Sequence, residues 1–386
     1  MYHPLTVAAL ADISRLLCDL IALPSVNPAF YSDPSLSGEQ RVADYLSNCA
    51  RRAGLEVERQ AITTDRSNLI VRLSPSGRAR RRLFLAPHLD TVGDPNYAKQ
   101  LKPVISGGRI YGRGACDTKG SVAAYFQALL AVVKSGPRPK NTEIVFIGLA
   151  DEENMQLGSR HFAQTGGRAD LALVGEPTGL NVVTAHKGDV WLQLRTLGKA
   201  AHGATPHRGQ NAVTEMARIV LALEKDYAGL LAQRKPHPLL GVPTVNVGFI
   251  SGGRQPNIVP ADCVIGIDRR TLPGETEATV RREIQTLLKK QNLHATFDTL
   301  RTASCEPLET DPTHPLVAQL TRTAGRKTTL GVHYFTDASP IAAAGTPAVV
   351  FGPGDIAQAH TDREWVAVKQ LERAASILER FLREQP

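Results

Sequence analysis

Residues 146–155 read FIGLADEENM, an apolar run with strand character that delivers three consecutive carboxylates, Asp151, Glu152 and Glu153. Like charges at contact distance repel and push one carboxyl pKa upward, a cost that a cation at the same place removes. Successive side chains on an extended backbone point to opposite sides. Glu152 and Glu153 therefore share a target only if the chain turns here, so that one can ligate while the other faces a reacting atom. The competing reading is an acidic loop solvated at a strand end. Other groups of the same chemistry recur at similar places. His88 and Asp90 lie two apart in PHLDTVGDP, after a second apolar run, the spacing of a ligating imidazole and a carboxylate that supports it. The glycine-rich stretch at residues 107–120, GGRIYGRGACDTKG, carries Asp117 before a helical pattern, where it either caps the helix or faces a cation. It lacks the GK[ST] of a phosphate-binding loop. Glu176 follows a third run in VGEPT, and His360 sits in the Gly/Pro-bounded loop GPGDIAQAH.

Two imidazoles with four or five carboxylates form a mixed nitrogen and oxygen set. Zinc accepts both ligand types, whereas calcium and magnesium favour oxygen alone. Two ions roughly 3.5–4 Å apart need a bridging carboxylate, and one acid flanked on each side by a histidine and an acid meets that arithmetic. A glutamate left unligated could take the proton of a water that the metal acidifies, for attack on a carbonyl. No GxSxG elbow offers a serine nucleophile, and Cys116, beside Asp117, is expected to pack next to the site rather than to react.

The elements that must position these groups follow from periodicity. A first amphipathic helix places Leu10, Ile13, Leu16, Leu17, Leu20 and Ile21 at helical spacing. A second spans 37–53, stopped by Gly54. Strands at 67–73, 82–86 and 170–174 and helices at 121–134 and 157–165 alternate, predicting an α/β mixed sheet whose ligands gather beyond the strand ends. The texture then changes. Strand 190–197, helix 211–223, strands 243–250 and 262–267, helix 276–291 and strand 293–300 make a βαββαβ unit that can close its own four-stranded, ferredoxin-like sheet. The expected organisation is therefore a catalytic domain in two parts, 1–186 and 301–386, with an inserted domain at 187–300. Helix 315–324, strand 348–351 and helix 368–382 return to the first style.

Composition limits the alternatives. With 386 residues, 42% hydrophobic and 21% charged, the chain reads as a soluble globular protein of two or three domains. The net charge of +8 comes from dispersed basic residues, apart from Arg78, Arg80, Arg81 and Arg82, read as a solvated loop. Aromatic residues are only 5% and none interleaves a basic run, which argues against nucleic acid as a partner. Cys18, Cys49, Cys116, Cys263 and Cys305 are odd in number with no CxxC pair, fitting reduced thiols and a cytoplasmic location. The first 26 residues lack the pattern of a signal peptide and the ~20 apolar residues of a membrane span.

In their order and spacing, PHLDTV, GRGACDTKG, ADEEN, VGEPT and GPGDIAQAHTDREW resemble the motifs of the M20-type zinc peptidase and deacylase family. Its members include acetylornithine deacetylases, succinyl-diaminopimelate desuccinylases, aminoacylases and glutamate carboxypeptidases. The resemblance covers nearly the whole chain and is strongest to the acetylornithine deacetylase branch, through VGEPTGLNVVTAHKG and GPGDIAQAHTDREW. It implies that His88 and Glu176 hold one Zn2+ and Glu153 and His360 a second, with Co2+ an alternative ion, and that Asp117 bridges them. Asp90 would orient His88, and Glu152 would be the general base and later proton donor. It also implies a cis peptide after Asp117, a lid and dimerisation role for the inserted domain, and a homodimer in which His202 steadies the oxyanion of the partner's site. Arg254, Asn257 and Arg270 match positions that grip a substrate carboxylate or amide carbonyl. The implied substrate is an N-acyl amino acid like N-acetylornithine. The alternatives are N-succinyl-diaminopimelate, a C-terminal glutamate peptide, or a non-catalytic homologue that binds metal or ligand, against which an intact Glu152 argues.

Overall fold

The computed structural model describes residues 12–31, 33–94, 96–301 and 304–386, so Leu10 of the first expected helix lies outside it. Contacts divide the chain into two compact units, one of residues 1–184, 310–330 and 336–386, the other of 185–309 and 331–335.

The first unit begins with α1 (Ile13–Ile21), whose N-terminus is capped by the Asp12 carboxylate, and α2 (Gln40–Arg52). There follow β1 (Glu56–Ala61), β2 (Ser67–Leu73), β3 (Arg81–Pro87), the short α3 (Tyr97–Gln100), β4 (Val104–Ser106), β5 (Arg109–Tyr111), α4 (Lys119–Lys134), β6 (Thr142–Gly148), α5 (Leu157–Thr165) and β7 (Leu171–Gly175). β8 (Val183–His186) crosses into the second unit. That unit holds β9 (Gly188–Leu197), α6 (Ala212–Leu221), which continues through a π-helical turn, Ala222–Tyr227, into α7 (Ala228–Ala232), β10 (Thr244–Gly252), β11 (Asp262–Thr271), α8 (Glu277–Lys290), β12 (Thr296–Thr299) and β13 (Leu308–Glu309). The remainder is α9 (Pro315–Thr323), β14 (Leu330–Val332), α10 (Ala338–Ala343), β15 (Ala348–Val350), β16 (Trp365–Ala367) and α11 (Val368–Arg383).

The first unit is built on a mixed sheet in the order β1-β2-β6-β3-β7-β15. β6, β3, β7 and β15 run parallel, and β2 and β1 are antiparallel additions. The parallel strands read as continuous apolar runs (Leu83, Phe84, Leu85 and Ala86 in β3) because both faces of such a sheet are covered. α4 is apolar on almost every face and fully buried from Lys119 to Phe126; α1 and α11 lie against it. The second unit is a wholly antiparallel sheet, β10-β11-β9-β12, with a core of its own from Leu192, Leu194, Met216, Ile219, Ile265, Ile267, Val280 and Ile284.

Three local expectations change. Arg81, read within a solvated basic loop, instead opens β3 one residue ahead of the expected strand start at Arg82, and Arg82 pairs with Glu143 on the neighbouring strand. β1, EVERQA, was not anticipated, since its alternation of charged and half-buried residues carries no apolar signal. Asp117 does not cap α4; Thr118 occupies that position. Among the described residues no helix is long and apolar enough to cross a membrane.

Candidate dinuclear metal centre

The singled-out residues of the first unit meet at the ends of its parallel strands. His88 follows β3 and is buried, with Nδ1 3.1 Å from the Asp90 carbonyl oxygen and 3.5 Å from Asp90 Oδ1. Its Nε2 lies 3.1 Å from Asp117 Oδ1 and 3.5 Å from Glu176 Oε1. The other Asp117 oxygen, Oδ2, is 3.2 Å from His360 Nε2, which is also 3.1 Å from Glu153 Oε2. One carboxylate thus stands between two imidazoles, each with an acid of its own. The Asp117–Thr118 peptide is cis.

The acidic triplet divides its labour through a turn. Asp151 adopts a left-handed φ of 70°, and Gln156, at 56°, closes the turn with a 2.7 Å bond from its N–H to the Asp151 carbonyl. This breaks strand alternation and lets Glu152 and Glu153 face the same region. Asp151 itself points away: Oδ1 accepts from Asn27 Nδ2 at 2.9 Å and Arg66 Nη1 at 2.6 Å, and Oδ2 from the backbone N–H groups of Met155 and Leu157. Asp90 anchors the next two residues, its oxygens accepting from the N–H groups of Glu152 and Glu153 at 3.1 and 3.2 Å. The Glu152 carboxylate is buried beside His88 and Glu176.

The electrostatics follow from crowding acids out of water. Burial pushes Glu152 well above the usual carboxylate range, with the Glu176, Asp337 and Glu153 charges adding and His88 opposing. Burial likewise lifts Glu153 to about 7, helped by the Asp117 charge, and Glu176 to about 7. Burial would lower the pKa of His88, but the Glu176 charge and the hydrogen bonds with Asp117 and Asp90 hold it well above the histidine norm. Hydrogen bonds with Asp117 and Glu153 raise His360 to about 10. Burying unpaired charge is expensive. Glu176 Oε1 is a buried oxygen with no hydrogen-bond partner. His88, Glu152 and Glu176, and His88, Asp117 and Glu153, each offer ligand atoms within 4.8 Å of one another. This set of imidazole nitrogens and carboxylate oxygens fits borderline divalent cations.

Cys116 is buried, its thiol bonds the Asp355 carbonyl at 3.3 Å, and burial pushes its pKa up, none of which suits a nucleophile. His202, Arg254, Asn257 and Arg270 belong to the second unit. His202 is exposed, and its neighbour Gly203 donates to the Asn257 carbonyl at 2.7 Å. Arg254 lines an open cavity of about 560 Å³ with Gly203, Gln255 and Pro256. Arg270 spends both arms of its fork on Asp268, two residues back on the same side of β11, at 2.9 Å each.

Three participants were not picked out from sequence. Asn27 donates through Nδ2 to both Asp90 (2.8 Å) and Asp151 (2.9 Å). Buried Asp337 accepts from Ser159 Oγ at 2.5 Å, and burial pushes it to about 7. Glu364 accepts from the loop that carries Asp117. Each is a single polar residue in an irregular segment. The one sequence signal is that Glu364 lies four residues after His360, directly before a short apolar strand.

The family model described as peptidase family M20/M25/M40 matches residues 84–384. An acetylornithine deacetylase of Myxococcus xanthus is 32% identical over 351 residues, covering 87% of this chain and 90% of that protein. A tripeptidase from Staphylococcus aureus superposes with a TM-score of 0.77 at 19% identity, over 99% of this chain and 100% of that one. A Bacillus subtilis protein described as a dinuclear metal binding peptidase gives 0.70 at 11% identity, over 98% of each chain; these last two are likenesses of fold. With the family model matched over most of the sequence and a relative above 30% identity along nearly its full length, the chain belongs to peptidase family M20/M25/M40.

Proposed function

We propose that this chain is a dizinc amidohydrolase that removes the acyl group from an N-acyl amino acid of the N-acetylornithine kind. The observation that carries the reading is Asp117, with one oxygen 3.1 Å from His88 and the other 3.2 Å from His360, close to the buried Glu152 carboxylate. His88 and Glu176 would hold one cation, Glu153 and His360 the other, and Asp117 both. Bound divalent cations supply Lewis-acid polarisation of a carbonyl and acidification of water. The chain's own residues do the rest. Glu152 accepts the proton of the attacking water and delivers it to the leaving nitrogen; burial and the neighbouring acids raise its affinity for that proton, and bound cations would offset part of the rise. Asp90 orients His88 and fixes the backbone of Glu152 and Glu153.

The substrate assignment rests on the acetylornithine deacetylase relatives. The second unit is proposed as the lid and dimerisation domain. Its edge strand β10 exposes Phe249 and Ile250, and α6 exposes Leu221, apolar surface suited to a second copy. In that dimer His202 steadies the developing oxyanion while Arg254, Asn257 and Arg270 contact substrate, Arg270 after exchanging Asp268 for a substrate carboxylate. All five cysteines are thiols and not disulfides, which agrees with a reducing cytoplasm.

The test is release of acetate, succinate or glutamate from N-acetylornithine, N-succinyl-diaminopimelate and C-terminal glutamate peptides, with and without chelator. Acetate release that chelator abolishes, and that Glu152→Gln reduces by about 10²–10⁴-fold, is expected. Preference for another member of the panel reassigns the substrate. Turnover indifferent to chelator, or full turnover by Glu152→Gln, removes the mechanism.

A further inference from the structure

We propose that Glu364 is a positioning residue that sets the Asp117 carboxylate between the two imidazoles, an inference that rests on the metal-centre reading above. Its side chain is buried and receives four hydrogen bonds from one loop. Oε2 accepts from Arg113 Nη1 and the Gly114 N–H, both at 3.0 Å. Oε1 accepts from the Cys116 N–H at 2.8 Å and the Asp117 N–H at 2.9 Å. The backbone behind it is also fixed. The Glu364 carbonyl accepts from the Gly112 N–H at 3.1 Å, and the next three residues form β16, which pairs with β5 through Trp365 opposite Tyr111. The loop can wrap the carboxylate because Gly114 takes a φ of +80°; a Cβ there would press on Lys119 and Thr91.

Four donors converging on two oxygens specify an acceptor-only group of this length. Glutamine would turn an NH₂ toward two of the donors and leave them unpaired, and aspartate retracts the carboxylate by one methylene. Since Glu364 lies four residues after His360 and bonds the amide of Asp117 itself, it ties together the two loops that supply those residues. A shift of this tie moves Asp117 away from His88 and His360 at once, so both cation positions loosen together. Loss of His360 alone removes a ligand from one position only.

The discriminating experiment is titration of the metal-stripped full-length chain with Co2+, read by visible d–d absorption and by competition with a chromogenic chelator. Wild type, Glu364→Gln, Glu364→Asp and His360→Ala are compared, with circular dichroism to establish folding. Wild type is expected to take two Co2+ per chain. Glu364→Gln should weaken both binding events by about 10–100-fold and change the absorption envelope, whereas His360→Ala weakens one. If the folded Glu364→Gln chain binds both ions with wild-type affinity and spectrum, the inference is wrong. Should Glu364→Gln not fold, Glu364→Asp decides by the same readout. Failure of both to fold makes Glu364 a fold-holding residue and overturns the proposal. A wild-type chain that takes no Co2+ rejects the metal-centre reading instead.

Discussion

Asp151, Glu152 and Glu153 are neighbours of one chemistry in three environments, and the backbone at Asp151 makes the difference. Asn27 is the residue through which this can be probed without altering any of the three, because one amide nitrogen serves both Asp90 and Asp151. Asn27→Ala leaves two buried carboxylate oxygens short of a donor, at a cost of about 1–3 kcal/mol. It should lower both the urea midpoint and kcat while leaving KM within about twofold; unchanged kcat would mean that Asn27 does not bear on how Glu152 and Glu153 are aimed. A second residue-scale prediction concerns pH. His186 is buried, and burial lowers its pKa to about 4, so the folded chain keeps it neutral while the unfolded chain binds a proton below roughly 6.5. Its contribution to stability is present above that value and is lost as pH falls from about 6.5 through 4, with a slope of order 1.4 kcal/mol per pH unit. Denaturant unfolding should show that His186→Gln is less stable than wild type near pH 8 and loses less stability between pH 6.5 and 4. Parallel pH dependence of the two chains would contradict it.

Among the elements, those with long periodic signals were legible before any coordinates. α8 and α11 begin and end within a residue or two of the expected positions, because Thr276 caps the first and the apolar stripe of the second is unbroken. The helix expected at 211–223 leaves α-geometry after Leu221, for a π turn that periodicity does not mark. That the acids and histidines sit at strand ends could be read from the sequence. How they aim could not, since it depends on a non-glycine left-handed residue, Asp151, and on Asn27 and Glu364 reaching across large sequence separations. The turn from Ala150 to α5 shows how tightly that aim is held. Gly158 packs against the Ala150 backbone and Asn68, and a Cβ there would collide with both. Gly158→Ala should cost about 1–3 kcal/mol by overpacking and lower kcat by displacing Glu152 and Glu153. Thermal melts and initial rates check it, and a variant with wild-type rates would mean the turn tolerates the shift.

At the scale of the whole molecule, the buried acids gathered around His88 and His360 repel one another, and bound cations would relieve that repulsion. Binding to the folded chain alone adds about 2.7 kcal/mol at a hundred times Kd, so chelation should lower Tm by several degrees and Zn2+ should restore it in calorimetry. A melting temperature indifferent to both would count against a preformed centre. The division into a split first unit and an intervening second one has a different consequence, for synthesis. α4 emerges early, apolar on nearly every side, yet α11, which lies against it, is made more than two hundred residues later. At roughly 5–20 residues per second, a ribosome leaves that helix waiting for tens of seconds without its partner. The nascent chain must shelter it meanwhile, and nonsense mutations anywhere before α11 should yield insoluble product and not a smaller working enzyme.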